Sequence, residues 1–209
     1  MESDHVAVVA GKTGPLVGAV VRTLADSHDV WVAGTGESTS ADLAADCPPA
    51  RPWPDADAGG EPARIDVLVH CVDEYAAGPL VETPVETWHN LFEANVFDVA
   101  RRTTRLLPAL RAAGGLVIVV NSPGVADSPG ERGAYAASKA ALSVLTDMLR
   151  EEEEQHGVRV AVLDPGWDDA ESPPADEPEE LAAAVRVLVT LPRQANAIRL
   201  AVRPASKLS

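Results

Sequence analysis

Short unbroken apolar runs alternate along this chain with longer stretches of helical spacing. Residues 6–10 (VAVVA) are apolar throughout and run into Gly11, the pattern of a strand buried on both faces that opens into a turn. Residues 18–25 put Val21, Leu24 and Ala25 on one side of a helix, and residues 30–33 form the next strand. Residues 35–64 are rich in Pro, Asp, Gly and Ala, with one helical patch at 41–45. A third strand spans 65–71. Thr83-Pro84-Val85-Glu86 predicts a helix start, with a Thr cap, Pro at the first position and Glu three residues after the cap. The helix that follows carries Trp88, Leu91, Phe92, Val96, Val99, Leu106 and Leu110 at helical spacing. A strand at 116–120, a long helix at 134–154, a strand at 158–163, a helix at 179–191 and a strand at 198–202 complete the pattern.

Strands alternating with helices predict βαβ units, hence one parallel sheet covered by helices on both faces. With 209 residues and 46% hydrophobic content, the chain suffices for one core and is short for two, so residues 1–209 are read as a single α/β domain. The acidic run at 151–154 reads as a solvated helix end, and 168–180 as an exposed acidic loop.

Composition narrows the function. A formal charge of -15 argues against nucleic acid and anionic membranes as partners, because both need clustered Lys and Arg. The start lacks a basic segment followed by a long apolar run, and no stretch approaches the ~20 apolar residues of a membrane span. Cys47 and Cys71 have no metal-type spacing, and two thiols suit a reducing cytosol, so a cytoplasmic protein is expected.

The chemistry starts at Tyr135-Ala-Ala-Ser-Lys139. Positions i and i+4 share one helix face, so the phenol and the ammonium can share a site. A phenol has an ordinary pKa of ~10, and a nearby cation favours its ionised form. Taken alone the pair reads as a surface contact. It is joined by Ser122 after the strand at 116–120, by Asn95 in the apolar stripe of the helix that starts near Thr83, and by Asp164-Pro165-Gly166 after the next strand. In order and spacing, Asn95, Ser122, Tyr135 and Lys139 resemble the catalytic tetrad of the short-chain dehydrogenase/reductase family. Trp88 before Asn95 and the Pro165-Gly166 turn match as well. The tail at 191–204 resembles the branch that includes NADP-dependent serine and 3-hydroxy acid dehydrogenases.

The resemblance implies a Rossmann-like doubly wound sheet in three layers and an NAD(P)-dependent oxidoreductase acting on a small carbonyl or alcohol. It implies Tyr135 as general acid in reduction and base in oxidation, with Lys139 lowering its pKa and bonding the nicotinamide ribose. Ser122 would bond the substrate oxygen, and Asn95 would hold the helix geometry and a relay water. A homodimer or homotetramer is implied through the helices at 83–111 and 134–154, which carry Val99, Leu106, Leu145 and Leu149, although core packing could claim most of these.

Other segments depart from the family. The first turn is Ala10-Gly11-Lys12-Thr13-Gly14-Pro15-Leu16-Val17, where the family has Thr-Gly-x-x-x-Gly-x-Gly. Gly11, Lys12, Thr13 and Leu16 are expected to line the pyrophosphate. Pro15 removes a donor, and Val17 is expected to put a branched side chain between the helix N-terminus and the phosphate. The family's Asn-Asn-Ala-Gly is His70-Cys71-Val72-Asp73 here. His70 is a candidate cofactor-lining residue or a plain strand-end histidine. Thr35 stands where an acid or a base usually selects NAD or NADP, and Lys12 is the cation expected to meet a 2'-phosphate. Asp55 is the expected adenine-side aspartate. NADP is slightly favoured over NAD. These departures also allow a second reading, a catalytically weak dehydrogenase-like binding or regulatory protein. Gly11-Lys12-Thr13 is not a Walker A loop, since the glycine required five residues earlier is Val6.

Overall fold

The computed structural model describes residues 5–35, 39–54, 60–121, 132–165 and 177–202. The elements run β1 (Val6–Gly11), α1 (Pro15–Ala25), β2 (Asp29–Gly34), α2 (Ser40–Asp46), β3 (Arg51–Pro52), β4 (Val67–Cys71), α3 (Val85–Phe92), a π-helical turn (Glu93–Phe97) and α4 (Asp98–Ala113). Then come β5 (Leu116–Val120), α5 (Gly133–Glu153), a 3₁₀ turn (Glu154–His156), β6 (Arg159–Asp164), α6 (Glu177–Thr190) and β7 (Arg199–Ala201). All seven strands are parallel, in the order β3-β2-β1-β4-β5-β6-β7. This is the helix-covered parallel sheet that the alternation of apolar runs and helical stretches predicts, in the Rossmann-like doubly wound order that the family resemblance implies.

Period-2 alternation divides each strand between two cores. Ala7 and Val9 of β1 pack with Val20 and Leu24 of α1 and with Leu181 and Val185 of α6. Val8 and Ala10 face the other way, onto Val99, Leu106 and Leu110 of α4 and Leu142 of α5. The strand order reverses between β1 and β4, so the chain leaves this pair in opposite directions and opens a crevice at their carboxyl ends. Gly11 and Cys71 face each other there in register.

Several local expectations change. Strand β3 was not predicted; Pro52 cannot donate to a ladder and sits on the edge strand, where that is tolerated. Trp53 beside it is buried against the sheet and meets Trp31 edge to face. Thr83 does not cap α3: its hydroxyl donates to the Pro79 carbonyl at 2.9 Å, and Pro84 takes the cap position. The long helix expected at 83–111 runs without a gap from Val85 to Ala113, with the π-helical turn inserted in it. Val99 and Leu106, expected on a dimer face, belong to the core at 3% and 4% exposure. The acidic helix end is not fully solvated, because Glu153 is buried and accepts from both Nε and Nη2 of Arg111 at 2.8 and 2.6 Å. Among the described residues, no helix is long and apolar enough to cross a membrane.

A Cβ on Gly11 would lie 2.8 Å from the Cys71 carbonyl oxygen and 2.8 Å from Cγ2 of Val17. The close approach of β1, β4 and α1 therefore needs glycine at this point. Gly11→Ala should cost about 1–3 kcal/mol through overpacking and lower the thermal midpoint by roughly 2–4 °C per kcal/mol. Thermal unfolding of both proteins checks this, and equal midpoints would show that the strand ends part without strain.

Candidate functional site

The crevice is bounded on one side by the turn after β1. Gly14 caps α1 with extended backbone, and Pro15 occupies the first helical position. Helical geometry leaves the Leu16 and Val17 N–H groups without an intrahelical acceptor, while Pro15 contributes none. Lys12 and Thr13 are exposed at the mouth, and Leu16 is half-buried. Lys12 forms an ion pair with Glu74 in the loop after β4. The expectation for Val17 is overturned: its side chain is 2% exposed and packs in the core with Val20, Val21 and Leu24. Its Cβ points toward the sheet, because this position of the helix lies on the buried face. The branched side chain therefore does not stand between the donors and a phosphate.

At the end of β2, Thr35 donates its backbone N–H to the Gly11 carbonyl at 3.1 Å and is buried. Its hydroxyl has no hydrogen-bond partner among the described residues. A buried unpaired hydroxyl is costly, and a ligand's own hydroxyl would satisfy it. Arg102 of α4 reaches the same strand end, donating from Nη2 to the Gly34 carbonyl at 2.9 Å and pairing with Asp98 at 3.4 Å. This guanidinium has no sequence signal, because α4 lies far from β2 along the chain.

Helix α5 places Tyr135 and Lys139 one turn apart on its inward face. Lys139 is 1% exposed, and its Nζ donates to Oδ1 of Asp73 at 3.1 Å. The Tyr135 hydroxyl donates to the same oxygen at 2.9 Å. The sequence implies that Lys139 lowers the Tyr135 pKa. Here the balance runs the other way: burial raises it first, and the Asp73 charge and its acceptance of the phenol proton raise it further, against a smaller opposing effect of Arg132. Tyr75 stands edge to face on Tyr135 at 5.0 Å, with Arg132 over the Tyr75 ring.

Asn95 lies in the π-helical turn and is fully buried. Its Oδ1 accepts the Glu74 N–H at 2.8 Å, and its Nδ2 donates to the Glu74 carbonyl at 2.8 Å and to Ser138 Oγ at 3.1 Å. Ser138 Oγ in turn donates to the Tyr135 carbonyl at 2.7 Å. Both amide hydrogens of Asn95 are committed within the protein, so its side chain is a clamp between the loop at 73–75 and α5. Asn121 does similar work beyond β5, donating to the Lys139 carbonyl at 3.2 Å and to Ser143 Oγ at 2.9 Å.

The other expected residues divide. Ser122, Asp55 and Gly166 lie outside the described residues. Pro165 follows β6, half-buried. His70 does not line the crevice: it is 1% exposed within β4, and its Nε2 bonds Thr103 Oγ1 of α4 at 2.9 Å. Burial pushes its pKa down to about 3, with Arg102 adding to the effect, so it is a neutral core histidine. Asp73 was legible only as an acid where the family has a glycine. Among the described residues no group of His, Cys, Asp and Glu forms a metal site. An NAD(P)-type dinucleotide fits the residues present: a glycine crossing, a helix N-terminus, the Thr35 hydroxyl, and the Tyr135–Lys139 pair at the far end.

Known proteins share this fold. The profile of the short chain dehydrogenase family matches residues 56–179, more than half of the chain. The Bos taurus dehydrogenase/reductase SDR family member 7B is 36% identical over 106 residues, covering 50% of this chain and 32% of that protein. The match thus spans about a third of that curated relative's length. A structure from Corynebacterium glutamicum, described as a short-chain dehydrogenase/reductase, superposes with a TM-score of 0.71 at 30% identity, covering 96% of this chain and 99% of that one. A metagenomic short-chain oxidoreductase in complex with NADP gives 0.76 at 26% identity, covering 98% and 99%. The profile match, the switch-point crevice and the Tyr135–Lys139 pair agree, and the chain belongs to the short-chain dehydrogenase/reductase family.

Proposed function

We propose that this protein is an NAD(P)-dependent oxidoreductase that interconverts a small carbonyl compound and its alcohol, with Tyr135 as the proton donor in reduction. The observation that carries the reading is the Tyr135 hydroxyl and the buried Lys139 ammonium meeting at the mouth of the switch-point crevice. The dinucleotide, when bound, supplies or takes up the hydride. Tyr135 delivers the proton to the carbonyl oxygen as hydride reaches the carbonyl carbon, and removes it from the alcohol in the reverse direction. Ser122, by its place in the motif, would donate to the oxygen on which charge develops. Lys139 would bond the nicotinamide ribose, and Asn95 would hold the loop at 73–75 and α5 in register.

Gly11, Lys12, Thr13, Leu16 and Thr35 would meet the adenosine and pyrophosphate. NADP is favoured over NAD, because Arg102 stands beside the end of β2 where a 2'-phosphate would lie, and Lys12 lies in the first turn. The NADP carried by the metagenomic relative agrees. A second reading, a dinucleotide-binding protein without turnover, draws on the Asp73 carboxylate that already engages both reactive side chains. A homo-oligomer is proposed as well: Phe97 beside α4 and Val144 and Met148 of α5 remain 50%, 62% and 44% exposed, an apolar face that a second copy of the chain would cover.

Three outcomes test this reading. Tyr135→Phe should lower reduction of a panel of small ketones and aldehydes by at least ~10²-fold with an unchanged circular dichroism spectrum and retained NADPH binding. Near-wild-type turnover in the variant would sink the assignment, and NADPH binding without turnover in the wild type would favour the second reading. Arg102→Ala should weaken NADPH about 10-fold or more in calorimetric titration, the loss of a charge-assisted contact, while leaving NADH nearly unchanged. Equal losses for both would remove Arg102 from cofactor selection. Light scattering at high micromolar concentration should give at least the mass of a dimer, and a monomer mass would contradict the apolar-face argument.

A further inference from the structure

We propose that Asp73 is a positioning residue of this site, holding the Tyr135 hydroxyl and the Lys139 ammonium on one carboxylate oxygen so that the phenol keeps its proton into the alkaline range. This rests on the reading of Tyr135 as the proton donor and adds what sets the pH range of reduction. The geometry is direct. Asp73 Oδ1 accepts from Tyr135 Oη at 2.9 Å and from Lys139 Nζ at 3.1 Å. The phenol can make its bond only while it carries its proton, because a carboxylate has no hydrogen to return. Ionising Tyr135 would break that bond and place a phenolate against a carboxylate, a like-charge contact in a mostly buried place. Lys139, which alone would favour the phenolate, spends its charge on Asp73.

The surrounding groups do not reverse this. The loop after β4 presents Asp73 and Tyr75, and the Tyr75 ring packs on Tyr135. Helix α5 presents Lys139 and, at its start, Arg132, whose guanidinium sits over the Tyr75 ring at 5.5 Å. Helix α3 contributes Leu91 and Trp88, which carry no charge, and the π-helical turn contributes the neutral Asn95. The Glu74 carboxylate is paired with Lys12. The tyrosine acidity is accordingly shifted toward the protonated form, by burial first and then by Asp73. The clamp of Asn95 on the Glu74 backbone fixes the residue next to Asp73, so the carboxylate is built into place. Its side chain remains 55% exposed on the solvent side, which leaves the hydrogen-bonded trio open to proton exchange with water.

The test needs no substrate. Tyr75 and Tyr135 are the two tyrosines of the chain, so a Tyr75→Phe protein reports Tyr135 alone by the ultraviolet absorbance of tyrosinate on alkaline titration. In that background Tyr135 should remain un-ionised past the ~10 of a free tyrosine. Adding Asp73→Asn, which keeps shape but removes the charge, should bring the midpoint down by ~1–3 pH units. If that protein loses its fold by circular dichroism, Asp73→Ser in the same background is titrated instead, with the same expectation. Reduction by the Asp73→Asn single variant should also fade at lower pH than in the wild type. Coincident midpoints with and without Asp73 would overturn the proposal. So would tighter NADPH binding with an unchanged midpoint, which would make the carboxylate only a competitor for the ribose. A shifted midpoint in a protein that binds no NADPH would support the role of Asp73 while refuting the oxidoreductase reading, so the two fail separately.

Discussion

A buried ammonium cannot stand without a counter-charge, and the centre of this molecule is arranged around that requirement. Lys139 is 1% exposed on α5. Removing such a cation from water costs several kcal/mol unless a partner is within reach. Asp73 supplies the partner, and to do so the loop after β4 must lie against α5. Asn95 holds it there with two hydrogen bonds to the Glu74 backbone and a third to Ser138. The π-helical turn follows from the same demand, since an extra residue in the turn carries Asn95 into the interior between α3 and α4. The Tyr135–Lys139 pair, the loop and the irregular turn are therefore one hydrogen-bonded unit.

The dinucleotide end of the crevice follows a different logic. A chain of net charge -15 offers no general attraction to a phosphate. The cations that face this end are already engaged, Lys12 with Glu74 and Arg102 with Asp98 and the Gly34 carbonyl. An anionic ligand there would compete with these carboxylates, although Arg102 Nε has no partner among the described residues. Pro15 takes one donor from the first turn, while Val17 does no harm because its side chain is turned into the core.

The order of strands and helices, the parallel sheet and the position of the Tyr135–Lys139 pair were all readable from the sequence. Buried strands such as β5 announce themselves because both faces are apolar, and α5 does so because i and i+4 are neighbours on a helix. Those signals live within a few residues, where covalent spacing dictates geometry. The cap at Thr83, the π-helical turn at Asn95, the short β3, the inward turn of Val17 and the burial of His70 depended on which surfaces came to face each other. Asp73 and Arg102 act across 66 and 68 residues of chain, on Lys139 and on Gly34. No periodicity links positions so far apart. The acid at 73 was visible as a departure from the family's glycine, but its meaning waited for the fold to bring β4 beside α5. Local spacing thus determined which elements form and that Tyr135 and Lys139 share one helix face. Tertiary contact alone decided what those residues touch, because the energy of a buried charge depends on its neighbours in space and not on its neighbours in sequence.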